Sequence, residues 1–143
     1  MPNLPIPSVV AMLVCDQIIT EEGTKKKSLV GVFDNFGSLA FPVLFQRLAV
    51  YVKLADAMGD YLFKLRIVKL KDESLVAEMG IQATIADASQ YAELAISMGN
   101  LPIQEPGKYE IQLYAGDIYL HRVTMNAVLA QSPQGGPSWQ QQK

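Results

Sequence analysis

The stretch that decides the fold runs from Pro106 to Val128 and reads Pro-Gly-Lys-Tyr-Glu-Ile-Gln-Leu-Tyr-Ala-Gly-Asp-Ile-Tyr-Leu-His-Arg-Val-Thr-Met-Asn-Ala-Val. Polar and apolar residues alternate from Lys108 to Leu113, which is the period of a half-buried strand. A short turn at residues 115–117 follows, and then a second run that is typical of a strand. Two such runs around a glycine-containing turn predict a β-hairpin, which we take as the last two strands of the fold.

The second strand of this hairpin changes phase part of the way along. Its inward-facing residues are expected to be Ile118 and Leu120 at the start and Val123, Met125 and Ala127 further on. A regular strand cannot place both sets on one face, because side chains alternate strictly. The sequence therefore predicts a β-bulge at His121 and Arg122, with both of these side chains reaching solvent.

The preceding chain contains further strand-like runs separated by turn signals about every 8–12 residues. We predict strands over 9–20, 28–36, 47–54, 61–70, 75–85 and 91–97, with a packed crossover between sheets over 37–46. With the hairpin this makes about eight strands, so the predicted fold is all-β, a single antiparallel β-sandwich. Helix is the competing interpretation for residues 76–97, which are rich in Ala, Glu and Met. The predicted organisation is an extended N-terminal arm over 1–8, the sandwich over 9–130 and a disordered tail over 131–143.

Composition excludes several functional classes. The chain has 143 residues, a formal net charge of −2 and a pI of about 5.3, which argues against nucleic-acid binding. No stretch approaches the roughly 18–20 apolar residues of a membrane span. The single cysteine, Cys15, excludes an internal disulfide and is compatible with a reducing compartment.

The sequence offers few residues for chemistry. Cys15 and His121 are each the only residue of their type, and a catalytic pair would require them to be in contact. We expect no catalytic residue and no cofactor. If the strands run up and down, the loops at 21–27, 56–60, 86–90 and 115–117 share one end of the sandwich. Carboxylates from such loops can bind calcium. The four loops carry Glu21, Glu22, Asp56, Asp60, Asp87 and Asp117, and the candidate calcium ligands are Asp56, Asp60, Asp87 and Asp117. The competing interpretation is that Asp is common in turns because it bonds the local backbone.

Several motifs together resemble a known family. They are Cys15-Asp16-Gln17 with the Glu22-Gly23 turn, the segment from Leu29 to Asp34, Phe41-Pro42, the strand 48–54, and Pro106-Gly107-Lys108-Tyr109. The chain resembles, over residues 9–128, a group of short bacterial proteins of unknown function with a predicted immunoglobulin-like or C2-like β-sandwich fold. The resemblance implies that fold and a cytoplasmic setting, but it implies no activity and no site residue.

The sequence therefore favours a protein that is not an enzyme. We predict a protein-interaction or scaffold module that acts through a protein partner or through self-association, because sandwich edges can accept an added strand. The alternative is a β-sandwich that binds calcium or carbohydrate at the acidic loop end.

Overall fold

The computed structural model describes residues 4–130, which form nine β-strands and no helix. The strands are β1 (Ser8–Thr20), β2 (Lys27–Val32), β3 (Asn35–Ser38), β4 (Val43–Ala55), β5 (Gly59–Lys69), β6 (Ser74–Ile85), β7 (Ala92–Ile103), β8 (Gly107–Ala115) and β9 (Ile118–Leu129). No segment of residues 4–130 forms a helix that could cross a membrane.

The strands form two facing sheets, so the predicted β-sandwich is confirmed. One sheet has the order β2-β1-β4-β7 and the other has the order β3-β9-β8-β5-β6. Alternate residues of both sheets point into one shared core, whose fully buried members include Val50 and Leu54 on β4, Phe63 and Leu65 on β5, and Tyr109 on β8. The helical interpretation of residues 76–97 is excluded, because this segment contains most of β6 and the first half of β7.

The crossover region departs from the prediction. The strand expected over 28–36 ends at Val32, and residues 35–38 form β3, which joins the other sheet and pairs with β9 in the parallel direction. The structure therefore has nine strands where about eight were predicted, and one of its pairings is not antiparallel. β4 begins at Val43, directly after the cis peptide bond between Phe41 and Pro42, so only residues 39–42 remain irregular in the expected connection.

The closing hairpin contains a bulge, but one residue earlier than predicted. Tyr114 pairs with Tyr119 and Leu113 pairs with His121, so Leu120 is the extra residue. Pairing is continuous through His121 and Arg122, and the prediction of an interruption there was wrong. His121 and Arg122 are both exposed, as expected.

Residues 4–7, which fall in the predicted arm over 1–8, precede β1 without regular structure. The hydroxyl of Tyr61 donates a hydrogen bond of 2.8 Å to the carbonyl of Pro5 and accepts one of 3.1 Å from the backbone N–H of Met58. These bonds attach the arm to the start of β5. The predicted tail over 131–143 lies outside the described residues.

Candidate functional site

Strand β6 forms one edge of the five-stranded sheet. It is 12 residues long, and β5 is its only sheet neighbour within residues 4–130. A strand in this position presents a row of backbone N–H and C=O groups that no other strand satisfies. Such a row is a template for an added strand, whether from a partner protein or from another copy.

The direction of these free backbone groups follows from β5. The N–H of Gly116 donates to the carbonyl of Leu62 at 2.8 Å, and the N–H of Leu70 donates to the carbonyl of Lys108 at 3.0 Å. Even-numbered residues of β5 therefore direct their backbone polar groups towards β8, and odd-numbered residues direct theirs towards β6. The odd-numbered residues 79, 81 and 83 of β6 pair with residues 65, 63 and 61 of β5, which satisfy their backbone N–H and C=O groups. The residues of β6 whose N–H and C=O point away from the sheet are Glu78, Gly80, Gln82 and Thr84.

The side chains of β6 do little to protect this edge. Glu78 is the only charged residue between Ser74 and Ile85, and there is no lysine or proline. The residues that point into the sandwich are apolar and only partly buried, since no strand covers their outer side; they are Ala77, Met79, Ile81, Ala83 and Ile85. Native proteins usually block an edge of this length with a charge, a proline or a distortion. The one distortion in β6 is a bulge at Val76, near its beginning.

The other three terminal strands of the two sheets are shorter than β6 or interrupted. Edge strand β3 has four residues and β2 has six, and the backbone of β2 is distorted at Gly31, where φ is 70°. Edge strand β7 is as long as β6, but Asn100 adopts a φ of 51° and Pro102 has no N–H to offer. Within residues 4–130, β6 therefore presents the longest regular edge.

A row of aromatic and charged side chains crosses the outer face of the same sheet from β9 through β8 and β5 to β6. Tyr114 and Tyr119 pair across the hairpin and meet edge to face, with ring centroids 5.7 Å apart. The guanidinium of Arg66 lies 5.9 Å from the Tyr114 ring, and its Nε is 3.6 Å from a carboxylate oxygen of Glu78. Tyr and Arg are the residue types most enriched at the centres of protein interfaces. Of this cluster, Glu78 on β6 and Arg66 on the adjacent β5 lie nearest to the position of an added strand, and the two tyrosines lie further across the sheet.

Cys15 and His121 do not form a catalytic pair. Cys15 lies on β1 in the four-stranded sheet, whereas His121 lies on β9 in the five-stranded sheet. The Cys15 side chain is fully buried, and its thiol lies 3.4 Å from the carbonyl oxygen of Gln17. Burial raises the pKa of the Cys15 thiol, which lowers its reactivity as a nucleophile.

The acidic loops are only partly brought together. The registers place Asp56, Asp60, Asp87 and Asp117 at one end of the sandwich, but the turn with Glu21 and Glu22 lies at the opposite end. The expected position of that turn was wrong, because β3 adds a chain reversal that the prediction did not contain.

Three of the four aspartates at the shared end have polar partners, and no two of them share one. Asp60 accepts a bond of 2.7 Å from the Thr84 hydroxyl, and Asp117 lies 3.8 Å from the Lys64 ammonium. The Ser89 hydroxyl and backbone N–H donate to Asp87, and these bonds lower the pKa of that carboxyl. No three acidic, histidine or cysteine side chains of residues 4–130 are grouped so that they could hold a metal ion. The calcium site remains without structural support.

Comparison with solved structures gives distant likenesses. An immunoglobulin-like protein from Pseudomonas aeruginosa is 10% identical, with a TM-score of 0.45 over 85% of this chain and 96% of that protein. A β-glucosidase from Listeria innocua is 9% identical with a TM-score of 0.45 over 87% of this chain, and a β-D-glucoside glucohydrolase from Trichoderma reesei is 12% identical with a TM-score of 0.46 over 86%. The chain spans 16% and 19% of the length of these two enzymes. Identities and TM-scores this low support no argument about activity.

Comparison of the sequence with curated proteins gives no match. A family model does match, over residues 10–128, which is most of the chain. It is described as a family of unknown function, so it confirms the expected kind of family and assigns no activity. The chain belongs to this family, DUF6941.

Proposed function

We propose that the protein is a non-enzymatic interaction module that binds an extended segment of a partner protein along the edge of β6. The observation that carries the proposal is the regular run of outward-pointing backbone groups at Glu78, Gly80, Gln82 and Thr84 on a strand without lysine or proline. An added antiparallel strand can exchange two hydrogen bonds with each of these residues. Main-chain bonds then supply affinity, and the flanking side chains supply specificity.

Two surfaces beside the edge would select the sequence of the added strand. Its inward-facing side chains would extend the core next to Met79 and Ile81, whose outer sides are incompletely covered. Its outward-facing side chains would lie beside Glu78, which is 3.6 Å from Arg66. We therefore expect a partner segment that alternates apolar residues with polar or basic ones, since a basic side chain can share the Glu78 carboxylate.

The proposed setting is the cytoplasm of a bacterial cell. The free thiol of Cys15 supports a reducing compartment, because cysteines in oxidising compartments are usually paired in disulfides. The net charge of −2 supports a protein partner over a nucleic acid.

The proposal is tested by removing one outward-pointing N–H. Gln82→Pro deletes this donor but leaves the pairing with β5 intact, since the backbone groups of Gln82 point away from β5. Gln82→Ala is the matched control, because it removes the same exposed side chain and keeps the N–H. Thermal unfolding of both variants, compared with wild type, checks that the fold is retained.

Wild-type protein and both variants are used as baits, and any bound protein is then purified in complex for hydrogen exchange. We expect a partner that binds wild type and Gln82→Ala and is lost from Gln82→Pro. In the complex, the amide hydrogens of Gly80, Gln82 and Thr84 should exchange more slowly than in the free protein. Equal binding to the proline variant, or unchanged exchange along β6, would contradict the proposal.

A further inference from the structure

We infer that the segment bound along β6 is β6 of a second copy, related by a two-fold axis that passes through Ile81. This inference rests on the proposed function, since it assigns an occupant to the same edge. An antiparallel pair of identical strands is symmetric, so each residue on one side of the axis meets the residue equally far on the other side.

The backbone restricts which registers are allowed. In β6 the backbone N–H and C=O groups that point away from the sheet belong to even-numbered residues. Even-numbered residues of one copy must therefore pair with even-numbered residues of the other copy. The bulge at Val76 interrupts regular pairing at one end, and the strand ends at Ile85 at the other. An axis at Ile81 uses the whole regular segment from Ala77 to Ile85 and pairs Gly80 with Gln82 and Glu78 with Thr84 of the second copy. Four hydrogen-bonded pairs exchange about eight bonds.

The side chains are complementary in this register. On the inner face, Met79 lies opposite Ala83 and Ala77 lies opposite Ile85, so each large side chain meets a small one, while Ile81 meets itself. These residues are apolar and partly buried in one copy, and a second strand would cover their open side. On the outer face, the single charge of the strand, Glu78, faces an uncharged threonine and not its own counterpart. Like charges directly opposite each other destabilise a strand pair, and this register avoids them.

The contact would use the whole regular part of the edge strand. The paired segment covers nine residues in each copy, from Ala77 to Ile85, and joins two five-stranded sheets into one continuous sheet. The neighbouring edge, β7, belongs to the facing sheet, and its regular stretch from Ala92 to Gly99 ends at Asn100 and is shorter than that of β6.

The register is tested by disulfide cross-linking between two variants that each add one cysteine to the native Cys15, Gly80→Cys and Gln82→Cys. A Cβ built at Gly80 meets the nearest atom, a methyl carbon of Leu62, at 3.6 Å, so the substitution fits without displacement. Gln82 is exposed. The native Cys15 is fully buried and does not compete for oxidation.

An equimolar mixture of the two variants is expected to form a cross-linked dimer that contains one chain of each kind. Their Cα atoms would lie about 5.5 Å apart, within the range of a disulfide. Either variant alone should remain uncross-linked, because residues 80 and 80, or 82 and 82, would be about 8–9 Å apart, beyond that range. Tags of different mass on the two variants identify the mixed product on a non-reducing gel.

Light scattering during gel filtration provides the independent measurement. We expect wild type and Gln82→Ala to be dimers and Gln82→Pro to be a monomer. The thermal midpoint of Gln82→Pro should equal that of wild type diluted until its dimer has dissociated. A monomeric wild type, or cross-linking of Gly80→Cys alone as strongly as of the mixture, would overturn the inference. A monomeric wild type that still binds a different protein through β6 would overturn the self-pairing and leave the proposed function standing.

Discussion

Deletion of Leu120 should leave the fold intact, because this residue is the extra one in β9. Tyr114 pairs with Tyr119 and Leu113 pairs with His121. Without Leu120 the hairpin becomes regular, the residues from Arg122 onwards keep their faces, and His121 takes the inward position opposite Leu113. The cost is the apolar contact of a side chain that is only partly buried against the core, since the imidazole of His121 replaces it only in part. Full burial of a leucine contributes about 1.5–3 kcal/mol, so we expect a loss of about 1 kcal/mol.

Deletion of Thr124 from the same strand is the matched control. Thr124 is exposed, so its side chain contributes little by itself. Its removal breaks the alternation between Val123 and Met125, and one part of β9 must turn to the wrong face. If the part of β9 after residue 124 reverses its inner and outer faces, then Met125 and Ala127, which are 0% and 2% exposed, leave the core. The transfer and cavity costs together amount to about 4 kcal/mol or more, a large part of the free energy of unfolding of an ordinary domain.

Urea unfolding followed by circular dichroism measures both variants against wild type. The reasoning requires a small loss for the Leu120 deletion and a loss several-fold larger for the Thr124 deletion, or an unfolded protein in the second case. If the Leu120 deletion is as destabilising as the Thr124 deletion, then Leu120 is not an insertion into an otherwise regular ladder, and the assignment of the bulge is refuted.

Three further substitutions have definite expected outcomes. Tyr109→Phe should cost about 1 kcal/mol in urea unfolding, because the buried hydroxyl donates a bond of 2.7 Å to the carbonyl of Glu105; an unchanged midpoint would contradict this. Glu105→Gln should lower the thermal midpoint at neutral pH, since the Lys69 ammonium, 2.8 Å away, holds the pKa of Glu105 below its ordinary value of 4.5. A carboxyl with a lowered pKa stabilises the fold above that ordinary value and loses its contribution as the pH falls through the folded pKa, so wild type and variant should converge in acid and stay apart at pH 7. Gly31→Ala should destabilise by more than about 1 kcal/mol, because φ is 70° and the new methyl would overlap the Asp16 carboxylate; Asp16→Ala in the same chain should relieve the overlap and not the backbone strain, and full recovery of the urea midpoint would exclude the strain.

The sequence predicted the parts of the fold that depend on local alternation. The strand from Lys108 to Leu113 and the inward faces of Val123, Met125 and Ala127 follow from the period of two. The same alternation revealed that β9 changes phase, but it could not locate the bulge to one residue. A phase change fixes only the interval in which the extra residue lies, and the structure assigns that residue to Leu120.

The sequence did not predict the features that depend on pairing between distant segments. Strand β3 is four residues long and is defined by its parallel pairing with residues 126–129, about ninety positions away. Its own sequence, Asn-Phe-Gly-Ser, carries no strand signal. Without β3, the chain reversals are miscounted, and the turn with Glu21 and Glu22 is assigned to the wrong end.

The candidate site was missed for the same reason. Nothing in the sequence from Ser74 to Ile85 distinguishes an edge strand from a central one, because the sheet order depends on where the other strands lie. What distinguishes β6 from the other edge strands is its regular backbone from Ala77 to Ile85. The proposed partner would cover this regular stretch. The distortions at Gly31 and Asn100 and the proline at 102 interrupt two other edge strands, whereas in β6 the only such feature within the described residues is the bulge at Val76, and a covered edge would explain why the nine residues after it are regular.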